Sequence, residues 1–410
     1  MFLIYIISTT LSTSFLIFFS LFSFSFSIHS LYHTLINFIN LIGGWCYSLT
    51  DCQVRSRGCS PGGACGSSWG RGSTTGSPMG GILSSNETVN PFFQGWTKIY
   101  APYCDGNSFS GMTIDPLSFN NSQLYFRGGY NLRAMMNYLT SDNSNKTIQN
   151  APTIVLTGCS AGGLAAYLHA DFVGTIVTSV NPQADYRVIP VSGFFSNSAN
   201  AEGAPVYVEQ MKGVFYLSNA SAGLNQDCIN DQDPGMEWVC NLALPSFQYT
   251  KSRVFILQSH TDWWQTACVW TAGVIIDKTQ NGRCVSSAKW GSCAWSLDGC
   301  SSNQAQHLLS WSTRLANDMY LSETGNLQGN GGFITSCHAH CEGNTDSYWM
   351  SMSINGLIMR DAVQTWMQMS LNSTPYWHKD CFLNIIPSPG PDGRLCNPTC
   401  NLHCTGGAIC

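Results

Sequence analysis

Apolar residues gather into short runs that close on small or turn-forming residues. Leu35 to Ile42 is such a run, ended by Gly43 and Gly44, and reads as a short buried strand. Lys98 to Tyr103 reads as a second strand, stopping at the turn Asp105-Gly106-Asn107. Between them, Thr50 to about Gly81 is rich in Gly, Ser and Cys. It is expected to be surface loop, stapled by some of Cys46, Cys52, Cys59 and Cys65. Asn131 to Leu139 carries Leu132, Met135, Met136 and Leu139 at helical spacing, which predicts a helix.

The clearest unit begins at Thr153 to Leu156, a β-branched run. It passes through Thr157-Gly158-Cys159-Ser160-Ala161-Gly162-Gly163 into Leu164 to Ala170, a stretch of helix formers. The order is therefore strand, tight turn, helix. Val254 to Gln258 predicts a further buried strand, and Gly332 to Ser336 another that leads into a cluster of His and Cys. Alternation of this kind predicts an α/β fold, with a mostly parallel central sheet and helices on both faces. No internal repeat points to a solenoid or propeller.

Composition sets the compartment. Charged residues make up 10% of the 410 and apolar residues 44%, with a net charge of −5 and no strong run of either sign. The electrostatic reason to expect nucleic acid or an anionic membrane as partner is missing. Nineteen cysteines are hard to reconcile with a reducing cytosol and are read mainly as disulfides, with at least one left unpaired in a monomer or paired with another chain. Glycosylation sequons at Asn86, Asn120, Asn145, Asn219 and Asn372 agree with a secreted or lumenal protein. Residues 1–28 form an apolar leader rich in Phe, Leu, Ile and Ser, with no Lys or Arg before Arg55. A signal peptide and a mis-assigned coding start both fit it, and no membrane span is expected after processing.

Gly158-Cys159-Ser160-Ala161-Gly162 is G-x-S-x-G, the nucleophile elbow, in the strand-turn-helix setting that lifts a serine hydroxyl above a sheet. A bare serine is a poor nucleophile. A histidine must take its proton, and a carboxylate must hold that histidine, in the chain order Ser, acid, His. Asp262 follows a clear strand directly; Asp277, Asp298, Asp231 and Asp233 are rivals. For the base, Cys337-His338-Ala339-His340-Cys341 offers two histidines, and residue types alone do not choose between them. Cys and His so close together also fit a metal site, as do Cys396, Cys400, His403 and Cys404, but neither set has a standard C-x₂-C pairing. No metal and no cofactor is expected. Gly43-Gly44-Trp45 ends an early strand where this fold puts its oxyanion loop, with the Ala161 N–H as a second donor.

These segments together resemble the pectin acetylesterase and Notum family of carboxylesterases. The likeness runs through Gly43-Gly44-Trp45-Cys46, Gly80-Gly81-Ile82-Leu83-Ser84, Pro102-Tyr103-Cys104-Asp105-Gly106, Leu124-Tyr125-Phe126-Arg127-Gly128 and the elbow. It continues in Asp262-Trp263-Trp264-Gln265, Ser336-Cys337-His338-Ala339-His340-Cys341 and Cys396-Asn397-Pro398-Thr399-Cys400. The resemblance implies an α/β-hydrolase-like domain over 41–400, followed by a Cys-containing tail at 401–410. It implies Ser160 as nucleophile, Asp262 as acid, His340 as base, and an oxyanion hole at Gly44, Trp45 and Ala161. The chain departs from the family where Leu41 and Ile42 replace a usual Gly and acidic residue, and in Ser259-His260-Thr261 before the acid. The wording around Cys104 and the cysteine in the elbow look more like pectin acetylesterases than Notum. A monomeric enzyme removing O-acetyl groups from a polysaccharide is therefore expected. A Notum-like esterase for longer acyl groups and an inactive glycan-binding relative are the alternatives.

Overall fold

The computed structural model describes residues 6–7, 34–39, 44–57, 80–103, 105–141, 148–273, 286–322, 324–382 and 395–403. Its centre is an eight-stranded sheet. In chain order the strands are β1 (Ile6–Ile7), β2 (Thr34–Ile39), β3 (Thr97–Pro102), β4 (Thr153–Cys159), β5 (Asp185–Val191), β6 (Arg253–Ser259), β7 (Gly331–Thr335) and β8 (Tyr376–Lys379). They lie side by side as β1-β3-β2-β4-β5-β6-β7-β8. Every pairing is parallel except that of β1 with β3 at the edge. Apart from Ile6–Ile7, the apolar leader lies outside the described residues.

The central strands β4 and β6 are buried almost throughout, as strands covered on both faces must be. Side chains alternate between two cores. Ile154, Leu156, Val188, Val254, Ile256 and Ile334 join one core with the helices Gly128–Leu139, Ala161–Leu168, Ala170–Val180 and Ser302–Tyr320. Val155, Ile189, Val191, Phe255, Leu257 and Phe333 join the other, covered by Asp346–Ser351 and Met359–Gln368. The α/β architecture with helices on both faces is thus present. Burying each such aliphatic side chain contributes about 1.5–3 kcal/mol.

Three local readings change. The stretch from Thr50 is not loop at its start: Leu49–Arg57 is a helix, with Cys46 bonded to Cys52. Cys59 and Cys65 lie outside the described residues. The early strand covers Thr34–Ile39 and not the run to Ile42; residues 40–43 lie outside the described residues. Strand β5 was not expected from the sequence and holds the middle of the sheet, between β4 and β6.

Candidate active site

β4 ends at Cys159 and the helix Ala161–Leu168 starts two residues later, so the chain reverses within Ser160. Ser160 adopts φ 59°, ψ −124°, a left-handed conformation that costs a non-glycine residue about 1–3 kcal/mol. Surrounding contacts hold it there. Its N–H donates to the Val191 carbonyl (3.0 Å), and its carbonyl accepts from Leu164 N–H (2.9 Å). Gly163 lets the turn be this tight: a Cβ there would lie 2.4 Å from the Val191 carbonyl oxygen and 2.9 Å from Gly193 Cα. The Ser160 hydroxyl is buried and hydrogen-bonds to nothing among the described residues. Ala161 is the first residue of the helix, so its N–H has no intrahelical partner.

Asp262 lies just beyond the C-terminal end of β6 and is fully buried. Its Oδ1 accepts from the backbone N–H groups of Trp264 (2.9 Å) and Gln265 (3.1 Å), which start the short helix there. Its Oδ2 accepts from Gln258 Nε2 (3.2 Å) and from His340 Nδ1 (2.7 Å). That last contact leaves Nε2 as the nitrogen able to take a proton. Burial works against a charged His340, but the charge and hydrogen bond of Asp262, aided by Glu342, outweigh it and raise its pKa above the ordinary value. His338, two residues away, meets Thr266 Oγ1 instead (3.2 Å), and burial lowers its pKa to about 4 although Asp262 pulls the other way. Of the rival acids, Asp231, Asp233 and Asp298 are exposed on the surface, while Asp277 lies outside the described residues.

The histidine segment is stapled at both ends. Cys337 is bonded to Cys400, and Cys341 to Cys159, the residue before Ser160, with Cα atoms 5.5 Å apart. A single cross-link therefore joins the neighbours of Ser160 and His340, and a His340 ring nitrogen lies within 4.8 Å of both of its sulfurs. The bridged cysteines could hold a metal only as free thiolates. The cysteines of the alternative metal reading, Cys337, Cys341, Cys396 and Cys400, are all spent on disulfides, and Cys404 lies outside the described residues.

Polar contacts extend the clamp. Ser192, just past β5 with φ 47°, accepts at Oγ from Cys341 N–H (2.9 Å) and donates to Glu342 Oε2 (2.8 Å). Glu342 is fully buried, and burial together with the charge of Asp262 raises its pKa to about 7. Thr261 Oγ1 donates to the Ser336 carbonyl (2.7 Å), and Ser259 Oγ to that of Cys337. His260, which departs from the family wording, is a buried residue whose Nε2 bonds the Cys381 carbonyl (3.1 Å). Sequence reasoning singled out none of Ser192, Glu342 or Gln258, because nothing in their local patterns marks them.

On the opposite side, Gly44 takes φ 93° and its carbonyl accepts from Tyr103 Oη (3.1 Å). Trp45 is buried edge-on against Phe195, Tyr207 and Trp264, with centroids 5.1–5.3 Å apart, and its Nε1 donates to Gln210 Oε1 (3.0 Å). Trp264 stacks in turn on His340, centroids 6.0 Å apart. Gly43 lies outside the described residues. The structure thus gathers Ser160, Ala161, Asp262 and His340 at the C-terminal ends of parallel strands, where open α/β sheets bind ligands, and an aromatic wall links Trp45 to them.

The pectinacetylesterase family model matches residues 33–385. The chain belongs to that family. Pectin acetylesterase 7 of Arabidopsis thaliana is 28% identical over 364 residues, 87% of this chain and 81% of that protein. A Xenopus laevis palmitoleoyl-protein carboxylesterase, notum1', is 24% identical over 385 residues, covering 88% and 67%. Among solved structures, the Wnt deacylase Notum from Drosophila superposes with a TM-score of 0.65 at 18% identity, covering 86% of this chain and 88% of that one, which shows the shared fold. The chain is a carboxylic-ester hydrolase of the pectinacetylesterase family, acting on acyl esters. Its six described disulfides fit an oxidising compartment. No single helix among the described residues is long and apolar enough to cross a membrane.

Proposed function

We propose that this esterase removes O-acetyl groups from a polysaccharide such as acetylated pectin, in a secretory or extracellular setting, through Ser160, His340 and Asp262. The observation that carries the reading is the 2.7 Å contact of His340 Nδ1 with Asp262, held one residue from a disulfide whose other half adjoins Ser160. Ser160 Oγ attacks the ester carbonyl carbon while His340 Nε2 takes its proton. Asp262 holds the ring in the required tautomer and stabilises the imidazolium. The tetrahedral oxyanion is met by backbone N–H groups of Ala161 and the Gly44–Trp45 turn. Collapse expels the sugar oxygen, which receives the proton from His340. Water, deprotonated by the same nitrogen, then releases acetate from the acyl-enzyme. Among the described residues Ser160 Oγ has no hydrogen-bond partner, and catalytic hydrogen bonds commonly tighten only when substrate draws such groups together.

A short acyl group suits the surroundings. Ser160 is 4% exposed, and the rings of Trp45, Phe195, Tyr207 and Trp264 pack against one another, with Trp264 lying on His340. The test measures acetate release from acetylated pectin and hydrolysis of aryl esters of increasing acyl length. Ser160→Ala should abolish both activities in folded protein, and wild-type rates should fall beyond acetyl. Retained activity in the serine variant overturns the mechanism. A rate that climbs with chain length points to a Notum-like acyl substrate instead.

A further inference from the structure

Trp295 is the only exposed tryptophan among the described residues, with 48% of its surface open. It is nevertheless held firmly. It sits inside the loop closed by the Cys293–Cys300 disulfide, between buried Ala294 and Leu297. Its own N–H donates to the Ser292 carbonyl (3.0 Å), and the Ala294 carbonyl accepts from Thr266 Oγ1 (3.2 Å), four residues beyond Asp262. The Trp295 ring lies against Trp263, centroids 6.4 Å apart and planes 38° apart. Trp263 lies against His340, centroids 5.7 Å apart. An aromatic path therefore leads from the His340 imidazole to open surface.

We propose that Trp263 and Trp295 form a stacking platform for a pyranose ring of the polysaccharide, next along the chain from the sugar whose acetyl ester faces Ser160. The proposal rests on the polysaccharide-esterase reading above. A pyranose has an apolar C–H face bordered by hydroxyls. A flat, open indole covers that face and removes apolar area from water while leaving the hydroxyls solvated. A polymer must also run past the site at both ends, which an open platform permits. Because the disulfide and the hydrogen bonds already fix the loop, little ordering entropy is lost on binding.

The experiment compares the full-length protein with Trp295→Ala on acetylated pectin and on a small aryl acetate. KM for the polymer should rise about tenfold, equivalent to ~1.4 kcal/mol. Values of kcat on both substrates, and kcat/KM on the aryl acetate, should stay within about twofold, since Trp263 separates Trp295 from His340 and a small ester does not extend to it. Trp295→Tyr should lie between the two. If alanine impairs folding, Trp295→Gln carries the same readout at an exposed position. An unchanged polymer KM overturns the proposal, and so does an equal loss on the aryl acetate, which would mark a merely structural role. A second arm measures binding of the polymer to Ser160→Ala protein, with and without the Trp295 change. About tenfold weaker binding is expected, and equal binding overturns the platform. This arm needs no turnover, so failure of the esterase mechanism and failure of the platform are told apart.

Discussion

The two walls of the candidate site are built by different means. The histidine wall, Cys337 to Cys341, is covalently fixed at both ends, Ser192 and Ser259 bond its backbone, and Thr261 bonds the Ser336 carbonyl just before it. The wall at Gly44 and Trp45 rests on aromatic packing, the Tyr103 hydroxyl and one indole hydrogen bond. An imidazole must meet a serine hydroxyl, a carboxylate and a leaving group with one orientation, so small displacements are costly. Under the mechanism proposed above, the backbone N–H groups of the other wall would need only a fixed main chain, which a well-packed neighbouring side chain secures. Covalent rigidity is thus concentrated where orientation of a side chain is critical.

Four substitutions test whether the two walls differ in this way. The largest effect is expected from Asp262→Asn, which leaves the clamp intact and removes the carboxylate. On an aryl acetate, kcat should fall about 10⁴-fold. Asp262 is what raises the pKa of His340 against burial, so its loss lowers that pKa. The acid-side limb of kcat/KM against pH, which marks protonation of the base, should therefore move to lower pH in the variant.

Next is the paired change Cys159→Ser with Cys341→Ser, which cuts the link closing 182 residues of chain. Activity should fall about 10- to 100-fold through misplacement of His340. Denaturant unfolding should show a loss on the order of 3–5 kcal/mol. Full activity in this variant would mean that hydrogen bonds alone position the histidine.

On the packed wall, Trp45→Phe keeps an aromatic ring but loses the bond to Gln210. Stability should drop by ~1 kcal/mol and kcat by only a few-fold, both read in the same assays. A loss as large as that of the disulfide variant would erase the contrast between the walls.

The smallest change in activity is expected from Glu342→Gln, read by stability against pH. Burial raises the folded pKa of Glu342 from 4.5 to about 7, so the folded state holds its proton longer than the unfolded chain. Wild-type stability from this group is full below pH 4.5 and is lost as pH rises toward about 7. Glutamine, which still accepts from Ser192, should remove that decline. Thermal melts that fall equally in both proteins over this interval would show that Glu342 does not titrate there.

The elbow was legible because its signal is local: a β-branched strand, small residues around Ser160 and helix formers after it. The strand Val254 to Gln258 and the early and third strands were legible for the same reason. The helix Leu49–Arg57 was hidden by the Gly, Ser and Cys content around it. Its start nonetheless carries a capping pattern, since Asp51 N–H donates to Ser48 Oγ (3.2 Å) and the Asp51 carboxylate accepts from Tyr47 N–H (3.3 Å). Strand β5 contains Pro190, which has no N–H for a ladder and argues against a central strand. It is tolerated at the end of the strand, opposite Gly158.

The elbow and the layered α/β class could be read before any fold was known, because residues adjacent along the chain carry them, and the chain order of the serine, carboxylate and histidine candidates is plain from their positions. Residue types did not determine which of His338 and His340 meets Asp262, nor which cysteines pair. Both emerge from the folded chain alone. The partners lie 78 and 182 positions apart, and their meeting depends on how several parallel strands end at one edge of the sheet. No local pattern encodes a contact that exists only once the whole sheet has closed.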